Sequence, residues 1–434
     1  MGRLLLCGLA AALGAGCLST PPPAEGDAAT APRCRREPLP TGSPWPSGAT
    51  VREARIADVD GDGRDDLVVW SAPDVASAAG PSQVLVAYGP VDRAAPQYHV
   101  VLDVAAAAQI QAWGVTLDDL DGDGCLDLTV AGPPTNAGGN AYAAIWLHGG
   151  GAVPWTGAPA RARLGQVPTG GASPLLPVWV DLSANPARDL VVTQLQHVDL
   201  FVGVDRSPDA LTSGVVVAPT SACNDWDNIN GVAAQPATGG DGGARLNVFG
   251  HYKHSTIAMS GGSATAATAI CHPGDGRIFR SYAIGDLDGV APLDLVFGGN
   301  DTVNARLLAG TDAVITPTTP AMLCPGFPLA DASGQSIQGL ALGELDGTAR
   351  PELLVIDHDA GAAASTACLL DLDEISAARL GTNGTSPFDL GPIVARTAVI
   401  GALDGAPGAW ILSAEGQATC LRQAVGGTSL TRCQ

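Results

Sequence analysis

Short apolar runs recur along the chain, each entered from a polar, glycine-rich stretch. Leu67-Val68-Val69-Trp70 is the first, and Leu190-Val191-Val192, Leu295-Val296-Phe297, Leu353-Leu354-Val355 and Trp410-Ile411-Leu412 follow. Continuous β-branched and aromatic runs of this length read as strands buried on both faces. A second apolar segment leads into each polar stretch, as at Ile56-Ala57, Ile284-Gly285 and Ile400-Gly401. After the buried run comes a turn of small residues and then a third run: Ser71-Ala72-Pro73 before Val84-Leu85-Val86, and Ala131-Gly132-Pro133 before Ala143-Ala144-Ile145. The predicted unit is therefore strand, polar loop, strand, turn, strand.

That unit repeats on a frame. Taking the first residue of each polar loop, with the last loop residue eight further on, the copies begin at 58, 119, 181, 237, 286, 344 and 402. The spacings are 61, 62, 56, 49, 58 and 58 residues. Self-similarity at such a period marks a repeat architecture, and four short strands fill one such period. The expectation is an all-β fold, a seven-bladed β-propeller of four-stranded blades spanning residues 49–434. Its 56 glycines and 33 prolines supply the turns that such a chain needs.

The first two polar loops carry candidate chemistry. Asp58 to Asp66 reads D-V-D-G-D-G-R-D-D, and Asp119 to Asp127 reads D-L-D-G-D-G-C-L-D. Asp58, Asp60, Asp62 and Asp66, and in the second copy Asp119, Asp121, Asp123 and Asp127, stand at loop positions 1, 3, 5 and 9. The main-chain carbonyls of Arg64 and Cys125 stand at position 7. Oxygen donors at this spacing suit Ca2+, which takes six to eight oxygens in flexible geometry. An EF-hand shares the first half of the pattern but requires Glu at position 12; here position 12 is Val69 or Val130, inside a strand. A solvated acidic loop is the alternative, and two copies on one frame weigh against it. The later copies have lost ligand positions to Ser183, Asn185, Val290, Thr348 and Ala406, and so are expected to bind weakly or not at all.

These segments resemble the FG-GAP or VCBS repeats of integrin alpha-chain propellers and their bacterial relatives. The resemblance covers roughly residues 50–434, with specific motifs in the first two repeats and a skeleton in the other five. It implies calcium in the D-x-D-x-D-G-x-x-D loops and seven blades.

Residues 1–17 read as a signal peptide, with a single Arg before an apolar stretch too short to span a membrane. Cys17 resembles the lipidated cysteine of a bacterial lipoprotein, which would give the chain its one membrane attachment. Residues 18–48, rich in Pro and Ala, read as a disordered spacer. The protein is expected to be exported, either to the cell surface or outer membrane as a lipoprotein or as a secreted chain. A formal net charge of −21, with 22 basic residues against 43 acidic ones, argues against nucleic acid and against docking on anionic lipid.

Setting aside Cys7 and Cys17 leaves eight of ten cysteines, an even number that in an exported chain suggests disulfides. If Gly426-Gly427 turns a hairpin, Cys420 and Cys433 face each other at a non-hydrogen-bonded pair, within bridging distance. Cys223 with Cys271 and Cys324 with Cys368 are paired by proximity in repeat order, which leaves Cys34 with Cys125.

No nucleophile elbow, phosphate-binding loop or H-E-x-x-H motif is found; His251 and His254 stand three apart, which on a strand puts them on opposite faces and favours a polar hairpin over a metal pair. The expected function is a non-enzymatic binding or adhesion module for an extracellular protein or glycan. Trp226, in the insert from Cys223 to Gly231, is a candidate contact, although packing between blades is the favoured role. The alternative is a propeller glycosidase or lyase acting on polysaccharide, for which two convergent carboxylates without calcium at the channel mouth would speak.

Overall fold

The computed structural model describes residues 34, 42–73, 80–93, 95–135, 141–148, 153–164, 176–180, 188–193, 198–201, 215–217, 229–235, 245–250, 253–260, 263–271, 279–285, 294–299, 303–307, 313–314, 335–345, 351–359, 364–370, 385–423 and 429–433. Leader residues 1–17, the insert around Trp226 and most of the degenerate loops lie outside them.

Among the described residues the strands form seven four-stranded antiparallel sheets, numbered here in chain order, each built from four strands consecutive in sequence. Their first strands are Val51–Ala57, Gly114–Asp118, Pro177–Val180, Ile229–Gln235, Phe279–Gly285, Gln335–Gly343 and Ala395–Gly401. The first strand of sheet 1 touches that of sheet 7, and contact continues through sheets 6, 5, 4, 3 and 2. Sheets 2 and 1 share one core, so the order of contacts returns to its start.

The unbroken apolar runs are explained by this stacking. Side chains alternate across a strand, and in the second strand of sheet 1, Asp66–Ser71, both faces are covered. Leu67 and Val69 pack toward Trp410 and Leu412 of sheet 7, while Val68 and Trp70 pack toward Val115, Leu128 and Trp146 of sheet 2. In sheet 2, Ala143 and Ile145 turn to Leu190, Val192 and Phe201 of sheet 3. Burying each Val or Leu in this way contributes about 1.5–3 kcal/mol.

The first and last sheets are fastened without a shared strand among the described residues. Val51 N–H donates to Ala414 O at 2.9 Å, and Val91 N–H to Leu403 O at 2.7 Å. The Tyr98 hydroxyl donates to Gly416 O at 2.9 Å. Residues 42–48, expected to belong to the spacer, are docked on this seam. Ser43 bridges Tyr98, and Trp45 meets the Tyr98 ring edge-on at 5.2 Å. Trp45 also lies where a Cβ on Gly416 would approach to 2.2 Å. Trp45 supplies apolar burial on this seam, and Cys34, also within the expected spacer, is buried.

Among the described residues the bridged pairs are Cys34–Cys125 and Cys420–Cys433. The second differs in detail from expectation. Cys433 N–H donates to Cys420 O at 3.0 Å and the Cα atoms are 5.4 Å apart, the spacing of a hydrogen-bonded pair. Cys368 is disulfide-bonded as well; Cys223 and Cys324 lie outside the described residues.

Candidate functional site

Each acidic loop joins the first strand of a sheet to the second. In sheet 1 the last ladder pair is Ala57 with Asp66, and in sheet 2 Asp118 with Asp127. Between those pairs the backbone must curl tightly. Gly61 and Gly63, and Gly122 and Gly124, take up that curl at φ of 67°, 82°, 77° and 86°, values that glycine adopts without a Cβ clash.

The two loops have nearly the same internal hydrogen bonds. Asp58 accepts from the N–H groups of Asp62 at 3.1 Å and Gly63 at 2.9 Å. Asp119 accepts from Gly122, Asp123 and Gly124 at 2.8, 3.1 and 3.0 Å. Asp62 and Asp123 accept from the N–H of Arg64 and Cys125, both at 2.9 Å. Asp58, Asp60 and Asp62 thereby bring one oxygen each to within 4.8 Å of one another, as do Asp119, Asp121 and Asp127. A Ca2+ ion bound at 2.3–2.6 Å would span opposite ligands by about 5 Å, so this donor set fits calcium. Asp66 and Asp123 stand outside those triplets.

Asp66 and Asp127 have a further task. Asp66 is 1 % exposed, and its two oxygens accept from Val59 N–H at 2.9 Å and Gly89 N–H at 2.8 Å. Asp127, equally buried, accepts from Leu120 N–H at 2.8 Å and His148 N–H at 2.7 Å. Position 9 therefore pins the loop to the turn after the third strand. Burial pushes both carboxyls up to about 7 against the pull of those amides, with the neighbouring loop aspartates adding to the rise. In Asp121, burial and the charges of Asp123 and Asp119 act in the same direction.

The position 9 acid stays buried in sheets whose other ligand positions have faded: Asp189 and Glu352 are 0 % and 2 % exposed. Glu352 accepts from Leu345 N–H at 2.7 Å, the counterpart of the bond from Val59 to Asp66. The frame itself shifts in two copies. Sheet 4 closes with Gln235 opposite Arg245, one residue longer than sheet 1. Sheet 7 closes with Gly401 opposite Gly408, two residues shorter, so Gly408 and not Trp410 occupies the register of Asp66.

The loop of sheet 7 contains its own cation. Asp404 accepts from Nη2 of Arg422 at 2.8 and 2.9 Å and pairs with Arg93 of sheet 1. Arg422 Nε also donates to Pro407 O at 3.1 Å. Sequence reasoning missed this arrangement because Arg422 lies two strands away from the loop.

A second polar cluster lies between sheets that are not neighbours. Glu53 and Arg55 of sheet 1 form an ion pair at 2.6 Å, and the Arg55 guanidinium interacts with the Tyr282 hydroxyl of sheet 5. The contact crosses the space that the first strands enclose. Arg55 keeps 44 % of its side-chain surface accessible. Burial works to lower its pKa and is outweighed by Glu53 and Tyr282. Burial pushes Tyr282 up to about 12. Among the described residues, Glu53 is the carboxylate paired in this cluster.

No family model matches the chain, and no curated protein is matched by its sequence. Its structure is similar to that of an Agrocybe aegerita lectin described for specific recognition of non-reducing terminal N-acetylglucosamine. The TM-score is 0.50 at 16 % identity, over 79 % of this chain and 81 % of that one. The WD40 domain of SCAP from fission yeast aligns over 92 % of this chain and 90 % of its own, at 8 % identity and a TM-score of 0.43. With the lectin's likeness added to the stacked antiparallel sheets, the chain has an all-β, propeller fold.

Proposed function

We propose that the chain is an exported, seven-bladed, FG-GAP-like propeller, stabilised by Ca2+ in the first two loops, that binds an extracellular protein or glycan without catalysing a reaction. The observation that carries the reading is the paired convergence of Asp58, Asp60 and Asp62 and of Asp119, Asp121 and Asp127 on one local backbone design. Like charges this close are costly without a counter-ion. A bound ion would stabilise the folded state by mass action, about 2.7 kcal/mol per site at a hundredfold excess over Kd. The loops occupy one end of each sheet, which leaves the connections between sheets at the other end for a ligand. Seven sheets of four strands whose contacts return to their start support the blade count. A ligand that is a glycan is compatible with the lectin neighbour.

The test is thermal unfolding with calcium and with a chelator, together with native mass spectrometry. Two bound ions and a melting point that falls by several degrees on chelation are expected. Asp62→Ala should shrink the calcium-dependent shift, whereas Asp241→Ala in the degenerate fourth loop should leave it intact. Equal effects at the two positions would overturn the loop assignment.

A further inference from the structure

The bridges Cys34–Cys125 and Cys420–Cys433 differ in what surrounds them. Cys34 and Cys125 are 3 % and 1 % exposed, so the first bridge lies inside the protein. Cys420 is 5 % exposed, but its partner Cys433 is half-buried, and both line a cavity of about 580 Å³. That cavity stands at the seam of sheets 1 and 7. Pro90, Val91 and Arg93 form its wall on one side, and Asp404, Thr419 and Arg432 on the other.

The same bridge belongs to the packing that joins the first sheet to the last. Cys420 and Cys433 pack in one apolar cluster with Val69 and Val91 of sheet 1 and with Leu403 and Trp410 of sheet 7. Val91, which lines the cavity, donates its N–H to Leu403 O across the seam. A reagent in the cavity would therefore meet a sulfur–sulfur bond on which the seam is packed.

The species that attacks a disulfide is a thiolate, and the charge around the bridge decides whether one can approach. An Asp404 oxygen lies within 4.8 Å of both sulfurs. Alone it would repel a thiolate, but Arg422 and Arg93 hold it in ion pairs. Asp92 adds a carboxylate to the wall and the exposed Arg432 a further guanidinium.

We propose that Cys420–Cys433 is a thiol-exchange site, opened by a small-molecule thiol that enters this cavity, and that its opening loosens the seam between sheets 1 and 7. The incoming thiolate attacks Sγ of Cys433, the more exposed sulfur. The S–S bond breaks, and Cys420 leaves as a thiolate that takes a proton from water. A second thiol displaces Cys433 from the mixed disulfide, so two small thiols are oxidised to their own disulfide while the protein bridge is reduced to two thiols. The last strand then keeps only its ladder to the third, Leu421 with Arg432, Arg422 with Thr431 and Gln423 with Leu430. The device requires neither calcium nor a bound glycan, and so stands apart from the reading above.

The experiment incubates the full chain, in calcium, with reduced glutathione, quenches by alkylation at set times and maps each cysteine by mass spectrometry. Cys420 and Cys433 should react about tenfold faster than Cys34 and Cys125, with the mixed disulfide on Cys433. Hydrogen exchange at the Val91 amide should accelerate about tenfold as the bridge opens, and oxidised glutathione should reverse it. The double variant Cys420→Ala, Cys433→Ala should exchange at Val91 at one rate with and without the thiol. Opening of Cys34–Cys125 first, or of both bridges at one rate, overturns the site. Val91 exchange that stays unchanged once the bridge is open, or that responds to thiol in the double variant, overturns the link to the seam. The labelling rates and the Val91 exchange of the parent protein decide both points even where the double variant fails to fold.

Discussion

The first loop and the seventh occupy equivalent places at the ends of neighbouring sheets, and they solve the same problem with opposite means. In the first, Asp58, Asp60 and Asp62 converge within 4.8 Å, and backbone amides are the hydrogen-bond donors found within the loop. In the seventh, two residues shorter, one carboxylate remains at the centre, and Arg422 and Arg93 supply the positive charge from within the protein. The comparison shows what loss of ligand positions means in this chain. A loop that has lost acidic positions can keep its turn where a guanidinium from elsewhere in the protein meets the carboxylate that remains.

Four substitutions bear on that contrast, and the largest effects are expected at the first two loops. Asp58→Ala, and separately Asp119→Ala, should each remove one ion in native mass spectrometry. Each should also cancel about 2.7 kcal/mol of calcium-linked stability at a hundredfold excess over Kd. Arg422→Gln should cost about 2 kcal/mol, since Asp404 is 6 % exposed and would retain Arg93 alone. Denaturant unfolding should show the same loss in calcium and in chelator; a loss confined to one medium would break the comparison. Asp66→Asn tests the third element, the pin. An amide offers one acceptor where Val59 and Gly89 need two, so about 1–2 kcal/mol should be lost in chelator, where ligand duty cannot contribute.

The frame of apolar runs was legible in the sequence because both faces of each second strand are buried, which leaves no polar position to interrupt the run. The convergence of the acids was legible for a related reason, since the residues lie within nine positions of one another. Spacing did not reveal the second task of position 9: the buried oxygens of Asp66 and of Asp127 each accept from two backbone amides, although Asp127 also joins an acidic triplet, and Asp189 and Glu352 stay buried where other ligand positions have faded. The cation of the seventh loop escaped notice because Arg422 and Arg93 reach Asp404 from outside the loop, 18 and 311 residues away. The two-residue shortening escaped for another reason: Trp410 continues an apolar run as well as any position 9 residue precedes one. Only the ladder pair of Gly401 with Gly408 reveals the register.

The smallest expected effect concerns the joint between the two loops. Asp65 stands beside the pin in the first loop, yet its Oδ2 accepts from Ala402 N–H, the opening residue of the seventh loop, at 3.0 Å. Gly401 has no room for a side chain there, since an added Cβ would lie 2.5 Å from Ile56 and 3.3 Å from that same oxygen. Asp65→Ala should therefore cost about 1 kcal/mol, the ordinary net value of one such bond, and should leave the ion count at two. A drop to one ion would mean that the seventh loop, with its fixed arginine, sets the shape of the first, and the two solutions would then be one coupled device and not two independent ones.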